Sequence, residues 1–192
     1  MQRVWPWLLC FSLALAQNLR LELAPGSEAR YRVREQLVGV NFPSDAVGTT
    51  RTLSGGVVLG ADGRVASGRF TVNLASLQSD EARRDNFIRR NTLQTDRFPE
   101  AVFVPKEVRG LRLPLRPGDK ARVEIVGDLT IREVTRSVTW VGEYEVTPEG
   151  VRLQANTRFR FEDFRLTQPR VAVVLSVENE IRLEVDFLLK SP

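Results

Sequence analysis

Strict alternation of apolar and polar residues over long runs is the feature that most limits what this chain can become. In Val151-Leu153-Ala155-Thr157-Phe159-Phe161 the mostly apolar residues face one way, and Arg152, Gln154, Asn156, Arg158 and Arg160 face the other. Ile181-Leu183-Val185-Phe187-Leu189 repeats the pattern against Arg182, Glu184 and Asp186. Successive side chains point to opposite faces of a β-strand, so these runs predict half-buried antiparallel strands. The same pattern appears in Val123-Ile125-Gly127-Leu129-Ile131, Val138-Trp140-Gly142-Tyr144-Val146 and Phe70-Val72-Leu74. With three shorter cases at Tyr31-Val33, Val57-Leu59 and Ala101-Phe103, eight strands are predicted.

Turn chemistry separates the runs as hairpins require. Ala61-Asp62-Gly63 joins the second and third strands, Pro117-Gly118-Asp119 precedes the fifth, and Pro148-Glu149-Gly150 joins the sixth and seventh. Arg132-Glu133-Val134-Thr135 is short enough for a tight hairpin between the fifth and sixth. Several runs reach ten or eleven residues. At about 3.3 Å per residue such a strand exceeds roughly 30 Å, about twice the usual length. Eight long strands with one apolar face each are satisfied by closing into a barrel, which removes exposed edges. A two-sheet sandwich is the competing solution. Gly142, between Trp140 and Tyr144 on the apolar face, leaves a gap that either a neighbouring backbone or a ligand must fill.

One segment breaks the period, after the third strand. Ser79 can cap a helix from about Asp80 to Arg90, with Asp80 and Glu81 at its positive end and Arg89 and Arg90 in its last turn. Ala82, Phe87 and Ile88 form its narrow apolar stripe, so it is expected to lie on the barrel. A second short turn, Leu93 to Arg97, stops at Phe98-Pro99.

The first sixteen residues have a different character. Arg3 precedes an apolar run from Val4 to Leu15, and Ala14-Leu15-Ala16 carries the small-x-small pattern of a signal-peptidase site. The expected mature chain starts at Gln17 and has 192 − 16 = 176 residues, a single domain over 17–192. It would be secreted or periplasmic. The leader is too short to span a bilayer as a helix, and no other apolar stretch is longer. The chain has no histidine, and its one cysteine, Cys10, lies in the leader. Trp7-Leu8-Leu9 lacks the small residues that normally precede an acylated cysteine. Imidazole or thiolate metal sites, His-based triads, cysteine nucleophiles, haem attachment and disulfides are thereby excluded from the mature chain. No cofactor or metal is expected.

The net charge is +4, or +3 without Arg3, and nearly all the base is arginine. These arginines are spread over polar faces with acids among them, not gathered in a stripe with aromatics, so nucleic acid is not an expected partner.

With these segments in view the chain resembles the YceI-like family of secreted or periplasmic polyisoprenoid-binding proteins. The residues that carry the resemblance are Arg84-Asp85, then Asp96-Arg97-Phe98-Pro99-Glu100-Ala101-Val102-Phe103, then the run from Val126 to Arg136, then Phe161-Glu162-Asp163-Phe164-Arg165-Leu166. It extends from about residue 28 to 189. It implies an eight-stranded antiparallel lipocalin-like barrel with a helical insertion after the third strand, holding a long apolar chain, and no catalytic centre. Many relatives have a histidine after the Arg-Asp pair where this chain has Phe87, and another in the first strand, which is absent here between Tyr31 and Gln36. Roles that rest on those histidines are not transferable.

The leading reading is therefore an exported lipid carrier. Its candidate ligand-binding residues are Phe70, Phe87, Phe103, Leu129, Trp140, Phe159 and Phe161, drawn from apolar faces. Arg84 and Arg132 are candidates for a head group, since arginine pairs bidentately with phosphate. Arg83, Arg89, Arg90 and Arg136 lie nearby in sequence, but helical spacing disperses those of the insertion. Two other readings stand beside it. One is an envelope stress or adhesion module using the outer surface; the other is a carboxylate-based hydrolase, for which Glu81 and Asp85 share a helical face. Monomer and homodimer both remain open.

Overall fold

The computed structural model describes residues 18–39, 41–169 and 174–192. The expected signal peptide, residues 1–16, and the cleavage point at Gln17 lie outside them.

Ten strand segments follow in order: β1 (Leu19–Leu23), β2 (Glu28–Leu37), β3 (Ser44–Thr50), β4 (Leu53–Leu59), β5 (Val65–Asn73), β6 (Glu100–Arg109), β7 (Lys120–Ile131), β8 (Val134–Thr147), β9 (Gly150–Arg160) and β10 (Val174–Lys190). They make eight barrel strands, because two long strands are each broken in the middle. β1 and β2 lie end to end along β10, with Leu23 opposite Leu189 and Ala29 opposite Val185. β4 and β3 lie end to end beside them. The remaining strands follow by antiparallel pairing from β4 through β10, and the β1–β10 pairing closes the ring.

The breaks explain why only half of each long strand is visible as an apolar run. Tyr31-Val33 belongs to β2 and Val57-Leu59 to β4. β1 is a five-residue alternation, and β3 presents Ala46, Gly48 and Thr50, too small or polar to signal a core face. Small size is nevertheless what β3 needs. A Cβ at Gly48 would stand 2.1 Å from the Tyr31 ring of the facing strand. Buried Ser27 stitches the first break to β10: its hydroxyl donates to the Ala24 carbonyl at 2.8 Å and accepts from the Leu188 N–H at 3.0 Å.

The seam between β2 and β10 is held by charge as well as by the ladder. Arg30, Arg32 and Arg182 surround the Glu184 carboxylate at 3.4, 3.2 and 3.1 Å. Burial pushes that carboxyl up, but hydrogen bonds from Arg32 and the charges of the three arginines more than offset this and hold it below the usual range.

The helical insertion departs from expectation. The α-helix, α1 (Ala82–Phe87), is shorter than Asp80 to Arg90, continues as a wider π-turn over Ile88–Leu93, and ends at Gln94 in the left-handed region with φ 54°. Its cap is Glu81, whose side chain accepts from the Arg83 N–H at 3.0 Å, and not Ser79. Ser79 is occupied elsewhere. Its N–H and hydroxyl both donate to the Asp85 carboxylate, at 3.0 and 2.7 Å, because a buried carboxylate needs local donors. Ala82 is exposed and takes no part in the apolar stripe.

Gly142 faces neighbouring backbone. A Cβ there would lie 1.9 Å from the Gln154 carbonyl oxygen on β9, so the gap beside Trp140 and Tyr144 is filled by the adjacent strand. Gly142→Ala should force β8 and β9 apart locally and cost about 1–3 kcal/mol, the usual penalty of overpacking. A urea midpoint unchanged from the parent would contradict this close approach.

Candidate functional site

The inward faces of the strands enclose a cavity of about 860 Å³. All seven sequence-nominated ligand residues line it. Phe70 comes from β5, Phe103 from β6, Leu129 from β7, Trp140 from β8 and Phe159 from β9. Phe161 opens the 3-10 turn after β9, and Phe87 ends α1. The aromatic rings form two contacts across the lumen wall: Phe103 meets Trp140 edge-on at 6.0 Å, and Phe70 stacks with Phe187 at 5.7 Å. The Trp140 indole N–H is buried with no hydrogen-bond partner among the described residues.

The two ends of the barrel differ. At one, the segment between β6 and β7 packs Leu111 and Leu115 against the core, and both line the cavity. The Arg112 N–H donates to the Tyr144 hydroxyl at 3.4 Å, which ties this segment to β8. At the other end α1 and the π-turn lie over the barrel, placing Phe87, Ile88 and Leu93 against the lumen, with Phe161, Leu166 and Pro169 also lining it. Exposed Asp80, Glu81, Arg83 and Val38 line this end as well, so the cavity reaches solvent here.

A polar cluster sits at that mouth. On β2 the inward face runs Ala29, Tyr31, Val33, Glu35, which brings a carboxylate into a mostly apolar lumen. Arg84 of α1 meets it: Nη2 lies 2.6 Å from Glu35 Oε1, both side chains are mostly buried, and Nη1 contacts Asp80. Burial alone would push the Arg84 guanidinium down, yet the hydrogen bond to Asp80 and the charges of Glu35 and Asp80 more than offset it, so it ends above the ordinary arginine value. Glu35 was not nominated from the sequence, although extending the Tyr31-Val33 alternation by one step points it inward.

Arg84 thus lines the mouth, but its guanidinium is already held by two carboxylates. Arg132 does not line the cavity. Its Nη1 donates to the Arg165 carbonyl at 3.3 Å, and its guanidinium lies 5.6 Å from the Phe98 ring centre. Of the nominated hydrolase carboxylates, Glu81 caps α1 and Asp85 binds Ser79. Among the described residues no three His, Cys, Asp or Glu side chains are grouped to hold a metal ion, and no helix is long and apolar enough to cross a membrane.

Tyr31 registers this environment. Burial of its hydroxyl, together with the Asp85 charge, pushes its pKa up to about 12, against the opposing effects of Arg84 and Ser79. An unfolded tyrosine titrates near 10. Between roughly pH 10 and 12 the unfolded chain loses this proton while the folded one keeps it, so stability falls as pH rises through that window. The expected loss is about 3 kcal/mol. Tyr31→Phe should remove it, as read from urea midpoints on either side of the window.

The chain matches the YceI-like domain family over residues 24–189. Two curated relatives, Protein YceI of Shigella flexneri and of Escherichia coli O157:H7, are each 28% identical over 122 residues, which is 57% of this chain and 60% of theirs. The aligned part therefore spans less than two thirds of those relatives. The structure of a polyisoprenoid binding domain from Saccharophagus degradans, implicated in plant cell wall breakdown, superposes with a TM-score of 0.72 at 14% identity, covering 90% of this chain and 98% of that one. Burkholderia cenocepacia BcnA gives 0.64 at 14% identity over 86% and 96%. The Campylobacter jejuni YceI protein gives 0.62 at 16% over 82% and 91%. These structures share the fold. A family match across most of the length, on a closed eight-stranded barrel with a helical insertion after its third strand, places this chain in the YceI-like family.

Proposed function

We propose that this protein is an exported carrier that holds a long apolar chain, such as a polyisoprenoid lipid, in its barrel lumen. The observation that carries this reading is the 860 Å³ cavity, apolar along most of its walls, with Arg30 and Glu184 of the β2–β10 seam and a charged cluster at one end. Such a site asks for an apolar body with one polar terminus. The polyisoprenoid binding domain of S. degradans, with the same fold, supports the choice of ligand class.

Magnitudes set the length of that body. An isoprene unit has five carbons, so its burial yields roughly 3 to 4 kcal/mol at about 0.8 per methylene. Micromolar binding needs about 8 kcal/mol net, after association costs of roughly 4 to 15. Four or more buried units are required, and a short terpene binds poorly. At the mouth, Arg83 lines the cavity, is exposed and has no carboxylate partner among the described residues, which makes it a better head-group ligand than Arg84.

An organic extract of protein purified from an export-competent host, analysed by mass spectrometry, tests the reading. A co-purifying prenyl lipid is the expected result. Repeated empty extracts, with no uptake of added polyprenol, would instead favour a module that works through its outer surface. The intact mass of the same preparation should correspond to a chain starting at Gln17, and an exported product retaining residues 1–16 would contradict the signal-peptide assignment.

A further inference from the structure

Tyr31 lines the cavity, and its buried neighbours on the inward faces of β2 and β3, Ala29, Val33, Ala46 and Thr50, are all short. Where the Tyr31 ring rests therefore decides how far this part of the wall intrudes on the lumen. It rests on Gly48. A Cβ at that position would stand 2.1 Å from Cε1, 2.5 Å from Cζ and 2.8 Å from the hydroxyl oxygen, so the three atoms it would meet first all belong to Tyr31. Gly48 sits in a regular strand with φ outside the left-handed region, and its own backbone has no need of glycine. Glycine in a strand interior weakens the strand and marks the close approach of another group. Here that group is the ring. The arrangement recurs at Gly127, where a Cβ would stand 2.6 Å from Phe103 Cζ, but there the Val104 carbonyl crowds the position as well. Gly48 isolates what the ring alone requires.

The place along the barrel matters as much. Two steps along the inward face of β2 from Tyr31 is Glu35, in the charged cluster of the mouth. The Tyr31 hydroxyl itself lies near Ser79, Asp85 and Arg84 of the insertion. A chain entering from the mouth meets this ring just inside the charged cluster.

We propose that Tyr31 and Gly48 form a width gauge inside the mouth, which admits a methyl-branched chain because the ring is laid on a glycine. An alanine Cβ would project inward beneath the ring. Nonbonded carbon atoms prefer a separation of roughly 3.5–4.0 Å, so the ring would lift into the lumen by about 1.5 Å. That is the length of a carbon–carbon bond, about 1.5 Å, and so the projection of one methyl branch. An unbranched chain lacks this projection and passes a narrower bore. The inference rests on the carrier reading and adds to it the property of the cargo that the mouth measures.

Competition between phytanol and 1-hexadecanol tests it, because the two alcohols share main-chain length and head group and differ only in methyl branches. Protein is offered an equimolar mixture, and the retained chains are extracted and quantified by mass spectrometry. The parent should favour phytanol, which buries more apolar surface. Gly48→Ala should lower the phytanol-to-hexadecanol ratio at least tenfold, and adding Tyr31→Ala should restore it. Adding Tyr31→Phe instead should leave it low, since the ring remains. A folded Gly48→Ala variant with the parent's ratio overturns the proposal, as does a lowered ratio that Tyr31→Ala fails to rescue. If Gly48→Ala does not fold, Tyr31→Ala alone decides. Its widened mouth should raise retention of retinol, a prenyl alcohol ending in a ring, at least tenfold relative to phytanol, and an unchanged ratio overturns the proposal. A parent that retains neither alcohol overturns the carrier reading and the gauge with it. A parent that retains both, with no ratio moved by substitution, overturns the gauge alone.

Discussion

Phe164→Ala should destabilise the fold by about 3–5 kcal/mol, the penalty of truncating a fully enclosed aromatic side chain. Phe164 is 1% exposed in the 3-10 turn after β9, and its ring meets Phe159 edge-on at 4.5 Å. It does not line the cavity, whereas Phe159 does. The two rings thus form a wall with packed protein behind it and space in front. Phe159→Ala should therefore cost less, since one side of its ring has fewer dispersion partners to lose, and should alter the preferred length of a bound chain. Phe159→Asp should abolish uptake, because an unpaired carboxylate facing an apolar lumen costs several kcal/mol. Urea unfolding of the two alanine variants, with Trp140 fluorescence during polyprenol titration, supplies the measurements. Equal penalties for both alanine variants, together with a Trp140 signal that never responds to lipid, would mean a packed interior and sink the carrier reading.

Removing the cation at the mouth should have an effect of comparable size. Arg84→Met leaves the Glu35 carboxylate, 8% exposed, without its 2.6 Å partner, and stranding one member of a buried pair costs about 3 kcal/mol or more. Replacing both residues, as Arg84→Met with Glu35→Leu, should recover most of that loss, because the desolvation cost then disappears with the charge. The pair joins β2 to α1 across 49 positions of sequence, so the single variant should also loosen the insertion. Faster hydrogen exchange confined to residues 79–93 is the expected signature. An additive double-mutant cycle would show that Glu35 and Arg84 do not support each other.

Both predictions concern contacts that the sequence conceals to different degrees. Phe159 was legible as a lumen residue because period-two alternation assigns a face to every position of β9 at once. The hairpin turns at Asp62-Gly63, Arg132-Glu133 and Glu149-Gly150 were legible because their chemistry is local. β3 was not, since its inward face had to be small to admit the Tyr31 ring, and small residues look the same in a loop. The capping of α1 also escaped. Ser79 is a good cap by type, but Asp85 takes its hydroxyl once burial removes water as the alternative partner. The Glu35–Arg84 pair depends on where the insertion comes to rest, and neither residue's neighbours in sequence say where that is.

Leu111 and Leu115 line one end of the lumen and exposed, charged side chains line the other, and a tube with one wet mouth imposes a kinetic order on whatever occupies it. A prenyl chain held there enters tail first and leaves by withdrawing along the path it took. If each unit drawn into water forfeits roughly 3 to 4 kcal/mol, every additional unit lengthens the dwell time by a factor of about a hundred or more, because affinity differences of this kind act mainly on the off-rate. Four units, the micromolar threshold, still allow escape on the order of seconds, whereas about two further units extend the dwell to hours or longer. If the protein is the carrier proposed above, delivery of such longer chains must wait for a second apolar phase at the mouth, into which the chain can slide unit by unit without ever being wetted.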